Sequence, residues 1–317
     1  MTAYLVKRAI ALPFTLLGVS VVTFQFLRQI PGDAITARLG TSTALSPEQL
    51  QRMRAYFGLD QPLYLQYLTW AGSLVRGDAG YSIRSGQPVT SEIAARLPVT
   101  LELALAAAVV ALAVGLPLGL ASALRPNTAV DLVAQMFGLL GLALPNFWLG
   151  TLTILLFARY LHWMPNTGGY VDLFADPFGN LQFLVFPSLT LGVAMAAVVM
   201  RTTRSAMLDV FGADYIRTAH AKGLRPEQVV ERHALKNGLI VVVTILGIQV
   251  GYLLGGAVIV EQVFSLPGLG RMLLTAIDQR DYALVQGGVL VIATLFVAAN
   301  TVVDVLYGFL DPRIRFA

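Results

Sequence analysis

The chain has 317 residues, 56% of them hydrophobic and 13% charged, against about 25% charged in a soluble domain, so lipid must solvate much of it. Without cysteine, disulfides and thiolate metal ligands are excluded, and His162, His220 and His233 are too widely spaced to suggest a metal site. The net charge of +4 is spread among apolar runs, which argues against nucleic-acid binding.

Lys7, Lys222 and Lys236 are the only lysines, and they precede Arg, Gly and Asn. A phosphate-cradling P-loop requires G-x-x-x-x-G-K-[ST], so the chain has no Walker A motif. Any ATP use through such a loop falls to another chain, and this one is not expected to be an enzyme.

Lys7-Arg8 lead into an apolar run from about Ala9 to Leu27. It is long for a signal-peptide core of roughly 7–15 residues, and no small-x-small cleavage site follows. An uncleaved first span with a cytoplasmic N-terminus is the expectation. Segment 30–98 is the most polar long stretch. Ser46 as N-cap and Pro47 at the first helical position start a helix that Gly58 ends. Pro62–Val75 reads as an amphipathic helix with Trp70 suited to an interface. Arg76–Ser82 is a turn-rich loop, and Thr90–Arg96 a short helix leading into Pro98. Together these make a small helical extracytoplasmic cap.

Val99–Leu124 is the second span, its small residues permitting close helix packing. The run Leu132–Leu161 exceeds the roughly 20 residues needed to cross. With Pro145-Asn146-Phe147-Trp148 in its middle, it is read as one kinked span. Phe183–Met200, Leu239–Val260 and Ala283–Leu306 complete six. Gly247, Gly251, Gly255 and Gly256 suggest a packing seam on the fifth. The expected fold is an all-α membrane protein in two parts. Residues 1–95 form the first span and the extracytoplasmic segment. Residues 96–317 form a five-helix core containing segment 214–237.

Basic residues near span ends set orientation. Arg201, Arg204, Arg217, Lys222, Arg225, Arg232 and Lys236 all lie in 201–238, whereas 162–182 has no Lys or Arg. That places the 201–238 elbow and both termini in the cytoplasm. Within the elbow, Lys222-Gly223-Leu224-Arg225-Pro226 punctuates two helices, because Gly ends a helix in the left-handed conformation and Pro suits the first turn of the next. Tyr215 and Ala219, at i and i+4, are expected on one face, with small Ala219 and Ala221 letting the helix enter a groove on a partner. Two punctuated helices exceed what an orientation signal needs.

The elbow resembles the cytoplasmic coupling segment of ABC importer permeases, whose loose pattern is E-A-A-x3-G-x9-I-x-L-P. Ala219, Gly223 and Leu235 match it. The departures, D-Y-I-R-T-A-H-A-K-G-L from Asp214 and R-H-A-L-K-N from Arg232, are similar to the dipeptide/oligopeptide branch. Further pieces agree in order. They are Tyr4-x-x-Lys7-Arg8, Pro31-Gly32-Asp33, Gly77-Asp78-x-Gly80-x-Ser82, Leu97-Pro-x-Thr100, Leu144-Pro-Asn-Phe-Trp148, Val263-Phe-Ser-x-Pro-Gly-Leu-Gly270, Arg280-Asp281-Tyr282 and Asp311-Pro-Arg.

The resemblance implies a type I ABC importer permease fold in the bacterial inner membrane. The partners it implies are a second homologous permease subunit in a heterodimer, two ABC ATPase subunits that bind ATP and Mg, and an extracytoplasmic substrate-binding protein delivering peptides. This chain would bind no cofactor. ATPase coupling would fall to Asp214, Tyr215, Arg217, Thr218, Ala219, Ala221, Lys222, Gly223, His233 and Leu235. The same machine carrying nickel chelates or glutathione is an alternative, as is a stand-alone ion-coupled transporter, although its inverted repeats are not evident.

Polar residues within spans are costly and often mark pathways. For Gln249, Asn300 and Asp304 interhelical packing is the favoured reading, while Glu261 and Gln262 are the better gate candidates. Asp278, Arg280 and Asp281 read as a solvated face.

Overall fold

Backbone polar groups in lipid have no water to bond, so a chain this apolar must satisfy them within helices. The computed structural model describes residues 2–29, 47–56, 60–161 and 169–310, and among these the chain is helical apart from turns and one isolated bridge, Tyr81 to Pro88. The features noted at Pro31-Gly32-Asp33, Ser46, Gly58 and Asp311-Pro-Arg lie outside the described residues. The helices are α1 (Thr2–Gln29), α2 (Pro47–Tyr56), α3 (Leu63–Val75), α4 (Val89–Leu124), α5 (Ala129–Ala143) and α6 (Asn146–Leu156). They continue with α7 (Pro177–Phe211), α8 (Asp214–Ala221), α9 (Pro226–Val229), α10 (Leu235–Val263), α11 (Leu269–Asp278) and α12 (Tyr282–Leu310).

Among the described residues, five helices are long and apolar enough to cross a membrane, and the count reaches six if α5 and α6 form one broken span. That run, read from the sequence as one kinked span, consists of two helices meeting at 103°. The cause is local: Leu144 and Pro145 both have extended backbone, and a residue before proline is pushed out of the helical region. Proline 98, by contrast, ends nothing. α4 runs 36 residues through Pro98 and Pro117, merging the expected short helix with the second span. Val89 and Ile93 are buried before Pro98, and Val99 and Leu103 after it, which outweighs the one helical bond that proline removes.

The chain divides into two compact units. One comprises Thr2–Pro98 with Gly268–Val297, so it is larger than the 1–95 segment read from sequence. Its core gathers Leu27, Val89, Ile93, Leu269, Leu273, Tyr282 and Val285. Phe24, Tyr67 and Trp70 form an aromatic cluster in it, with centroids 5.4–6.0 Å apart. Ser82 donates to Asp281 Oδ2 at 2.5 Å, joining two motifs that are far apart in sequence. Asp281 is 3% exposed and its Oδ1 accepts from Leu284 N at 3.3 Å. It therefore caps α12 and is not part of the solvated face expected for it.

The other unit comprises Val99–Pro267 and the chain from Ala298 on, with α7 against α10, α5 and α6. Phe183, Phe186, Leu191, Val199, Leu253, Val260 and Phe264 fill its core with Leu103. Gly115 and Gly119 of α4 let its backbone approach that of α7. A Cβ at Gly115 would lie 2.7 Å from Ala196 O of α7, and at Gly119 2.6 Å from Met200 O. In α10, Gly247 and Gly256 do meet neighbours, but Gly255 faces open space, so the seam expected there is incomplete.

Candidate functional site

The elbow follows directly from α7, whose last turn passes through Gly212 and Ala213 into α8. Asp214 opens α8, where a negative charge complements the N-terminal dipole, and Thr218 Oγ1 donates to Asp214 O at 2.9 Å. The helix closes with two bonds: Gly223 N donates to His220 O (2.9 Å) and Leu224 N to Ala219 O (3.3 Å). With Gly223 at φ +80°, this is a Schellman closure, completed by Leu224 packing into the same cluster as Ala219. Pro226 occupies the first turn of α9, and Gln228 Oε1 accepts from Arg225 N at 3.2 Å, half of a capping box. A π-helical turn, Val230–Ala234, then leads into α10.

This geometry divides the predicted coupling residues by face. Ile216 and Ala219 are buried in an apolar cluster with Ala123, Met207, Val229 and Ala234. Asp214, Tyr215, Arg217, Thr218, Ala221 and Lys222 are exposed. Tyr215 and Ala219 therefore do not share the outward face expected of them. The i, i+3 pair Ile216–Ala219 centres the inner face, and Tyr215 stands at its edge. The small size of Ala219 serves packing within this chain. Tyr215 also ties the two arms together, since its hydroxyl accepts from Asn237 Nδ2 at 3.1 Å. His233 and Leu235 are half-buried.

Sequence reasoning missed the polar lock beneath the elbow. Asp131 of α5 is 1% exposed. Arg204 of α7 grips it with both arms, Nε to Oδ1 at 2.7 Å and Nη2 to Oδ2 at 2.8 Å. Ser122 Oγ (2.6 Å), Asn127 N (2.9 Å) and Gln135 Nε2 (3.0 Å) donate to the same carboxylate. The sequence signal was weak, an acidic residue beside a basic span end.

The gate candidates are not brought together. Glu261 is fully buried and accepts from Thr100 Oγ1 at 2.6 Å, a brace between α10 and α4, while Gln262 beside it is exposed. Gln249 and Asn300 are half-buried on α10 and α12, and the Asp304 side chain lies outside the description. Two residues on from Thr100 in α4, Glu102 accepts from Tyr170 Oη at 3.0 Å and Asn180 Nδ2 at 2.8 Å. Burial and this carboxylate together hold the Tyr170 hydroxyl above the usual phenol range.

Residues 115–316 match the model of the binding-protein-dependent transport system inner membrane component, and residues 1–104 match the model of its N-terminal region. The chain belongs to this family. Among its relatives are the di/tripeptide transport system permease protein DppB of Pseudomonas aeruginosa (strain UCBPP-PA14) and the oligopeptide transport system permease protein AppB of Bacillus subtilis (strain 168). The first is 41% identical and covers 99% of each chain; the second is 39% identical and covers all of both. A crystal form of the inward-facing MetNI methionine ABC transporter aligns with 69% of this chain and 96% of its own at a TM-score of 0.53. At 20% identity that likeness speaks for the fold, a type I ABC importer permease. The binding-protein-dependent permease family read from the motifs is borne out, and the stand-alone ion-coupled transporter is not favoured.

Proposed function

We propose that this chain is the transmembrane permease subunit of an ATP-driven importer of di- or oligopeptides, and that the outer face of α8 is where ATPase subunits engage it. The observation that carries this reading is a short helix with one face seated in its own chain and the other, bearing Tyr215, Arg217, Thr218 and Lys222, open to solvent. ATP and Mg²⁺ bind the ATPase subunits, an extracytoplasmic binding protein delivers peptide, and a second, homologous permease subunit completes the pathway. Both termini and the elbow face the cytoplasm, supported by the basic residues at 201–238. Full-length similarity to permeases named for di/tripeptide and oligopeptide transport supports the substrate class.

The test is uptake of a labelled dipeptide by proteoliposomes holding the whole transporter. Arg217→Glu combined with Lys222→Glu reverses charge on the outer face without touching the buried one. Gly223→Pro cannot adopt the positive φ of the closure. Both are expected to insert normally, lose uptake, and lose the stimulation of ATP hydrolysis by loaded binding protein. Wild-type uptake in either variant would refute the role of α8, and absence of ATP-driven peptide uptake by the wild-type assembly would refute the function.

A further inference from the structure

We infer that the Asp131–Arg204 pair is a positioning element for energy coupling: it makes the mount of the elbow rigid, so that force on α8 moves α4, α5 and α7 as one body. The inference rests on the coupling role proposed above.

Three features support it. First, the carboxylate collects donors from four stretches of chain. Ser122 comes from the last turn of α4, Asn127 from the loop that follows, Gln135 from α5 and Arg204 from α7. Second, this polar layer is in register with the apolar layer that seats α8. Ala123 adjoins Ser122, Met207 lies one helical turn after Arg204, and both are buried in the cluster with Ile216 and Ala219. The polar layer fixes the three helices to one another, and the apolar layer fixes the elbow to them. Third, the lock extends along α5. Gly141 has no room for a side chain, since a Cβ there would lie 2.8 Å from Ala197 Cβ of α7, and Gly138 faces the end of Met200, so α5 follows α7 from Asp131 towards the break at Leu144-Pro145.

An arginine serving only as an orientation signal needs to be present at the span end, nothing more. Arg201 fits that description, being exposed. Arg204 is different, since its guanidinium is matched to a buried carboxylate in a bidentate pair, a geometry lysine cannot reproduce. Packed elements held this way pass on small displacements as rigid bodies.

The test uses the complete transporter in proteoliposomes and reads peptide taken up per ATP hydrolysed, with labelled dipeptide as probe. Asp131→Asn removes the charge and keeps the size. It is expected to assemble, to hydrolyse ATP, and to lower the uptake-to-hydrolysis ratio at least fivefold. Arg204→Lys is expected to fall less than Arg204→Met. Should Asp131→Asn fail to assemble, Ser122→Ala and Gln135→Met loosen the carboxylate one bond at a time, and each is expected to lower the ratio about twofold. A purely structural pair gives a different result: complex yield, uptake and hydrolysis fall together at an unchanged ratio in all variants, which overturns the inference. Normal uptake by Gly223→Pro is a separate outcome, since it overturns the coupling role of the elbow and this inference with it.

Discussion

A single residue decides how the elbow closes. Gly223 holds φ +80°, yet a Cβ built there meets nothing within 4 Å, so any cost of substitution is conformational and not steric. For an L-residue that cost is about 1–2 kcal/mol, less for Asn, which tolerates the left-handed region. Gly223→Ala is therefore expected to leave the fold intact and to speed amide exchange at Leu224 roughly 5- to 30-fold, with Gly223→Asn nearer wild type. Equal exchange in all three would show that the closure bonds are not limiting. A second residue-scale case is Thr100, whose hydroxyl donates to the buried Glu261 carboxylate. Leaving a buried acceptor short of a hydrogen bond costs about 1–3 kcal/mol. Thr100→Val should lose about that much stability, read as a lower thermal midpoint in detergent, whereas Thr100→Ser should keep most of it. An unchanged midpoint in the valine variant would mean that other groups already satisfy Glu261.

Helix packing within the second unit turns on where glycine lets backbones meet, and here the sequence was only partly legible. Glycines at small-x-x-x-small spacing occur in both α4 and α10, and spacing alone cannot rank them. Gly115 and Gly119 abut the α7 backbone, while Gly255 faces open space. Gly115→Leu is accordingly expected to cost at least the roughly 1–3 kcal/mol of an overpacked core, seen as aggregation or a lower thermal midpoint after solubilisation. Gly255→Leu is expected to behave as wild type. Spans and elbow could be read directly, because an apolar run near 20 residues and a Gly-x-x-Pro break are local signals. The burial of Asp281 and the Asp131–Arg204 grip could not. Each depends on partners far along the chain, such as Ser82 for Asp281 and Arg204 for Asp131. The inward face of Ala219 failed for another reason: on an eight-residue helix one wrong anchor residue rotates the whole assignment.

Orientation in the membrane is a property of the whole molecule, and charge near span ends sets it. Segment 201–238 carries seven basic residues, Arg201 through Lys236, against none in 162–182. That asymmetry supports the proposed orientation, with the two segments on opposite sides. The α5–α6 break bears on the same orientation. If that pair returned to the side it left, every helix after it would invert, and the elbow would face outward with its basic residues against the usual bias. A crossing pair is the arrangement that agrees with the proposed cytoplasmic elbow. Because the chain lacks cysteine, single cysteines report each loop without background. Lys222→Cys and Thr128→Cys are expected to react with a membrane-impermeant maleimide only after the cells are opened, and Phe174→Cys in intact cells. Phe174 is a suitable site, being 92% exposed. Labelling of residues 128 and 174 from the same side would make α5 and α6 a re-entrant pair and leave five spans. Labelling of residue 222 in intact cells would remove the elbow from reach of any cytoplasmic ATPase.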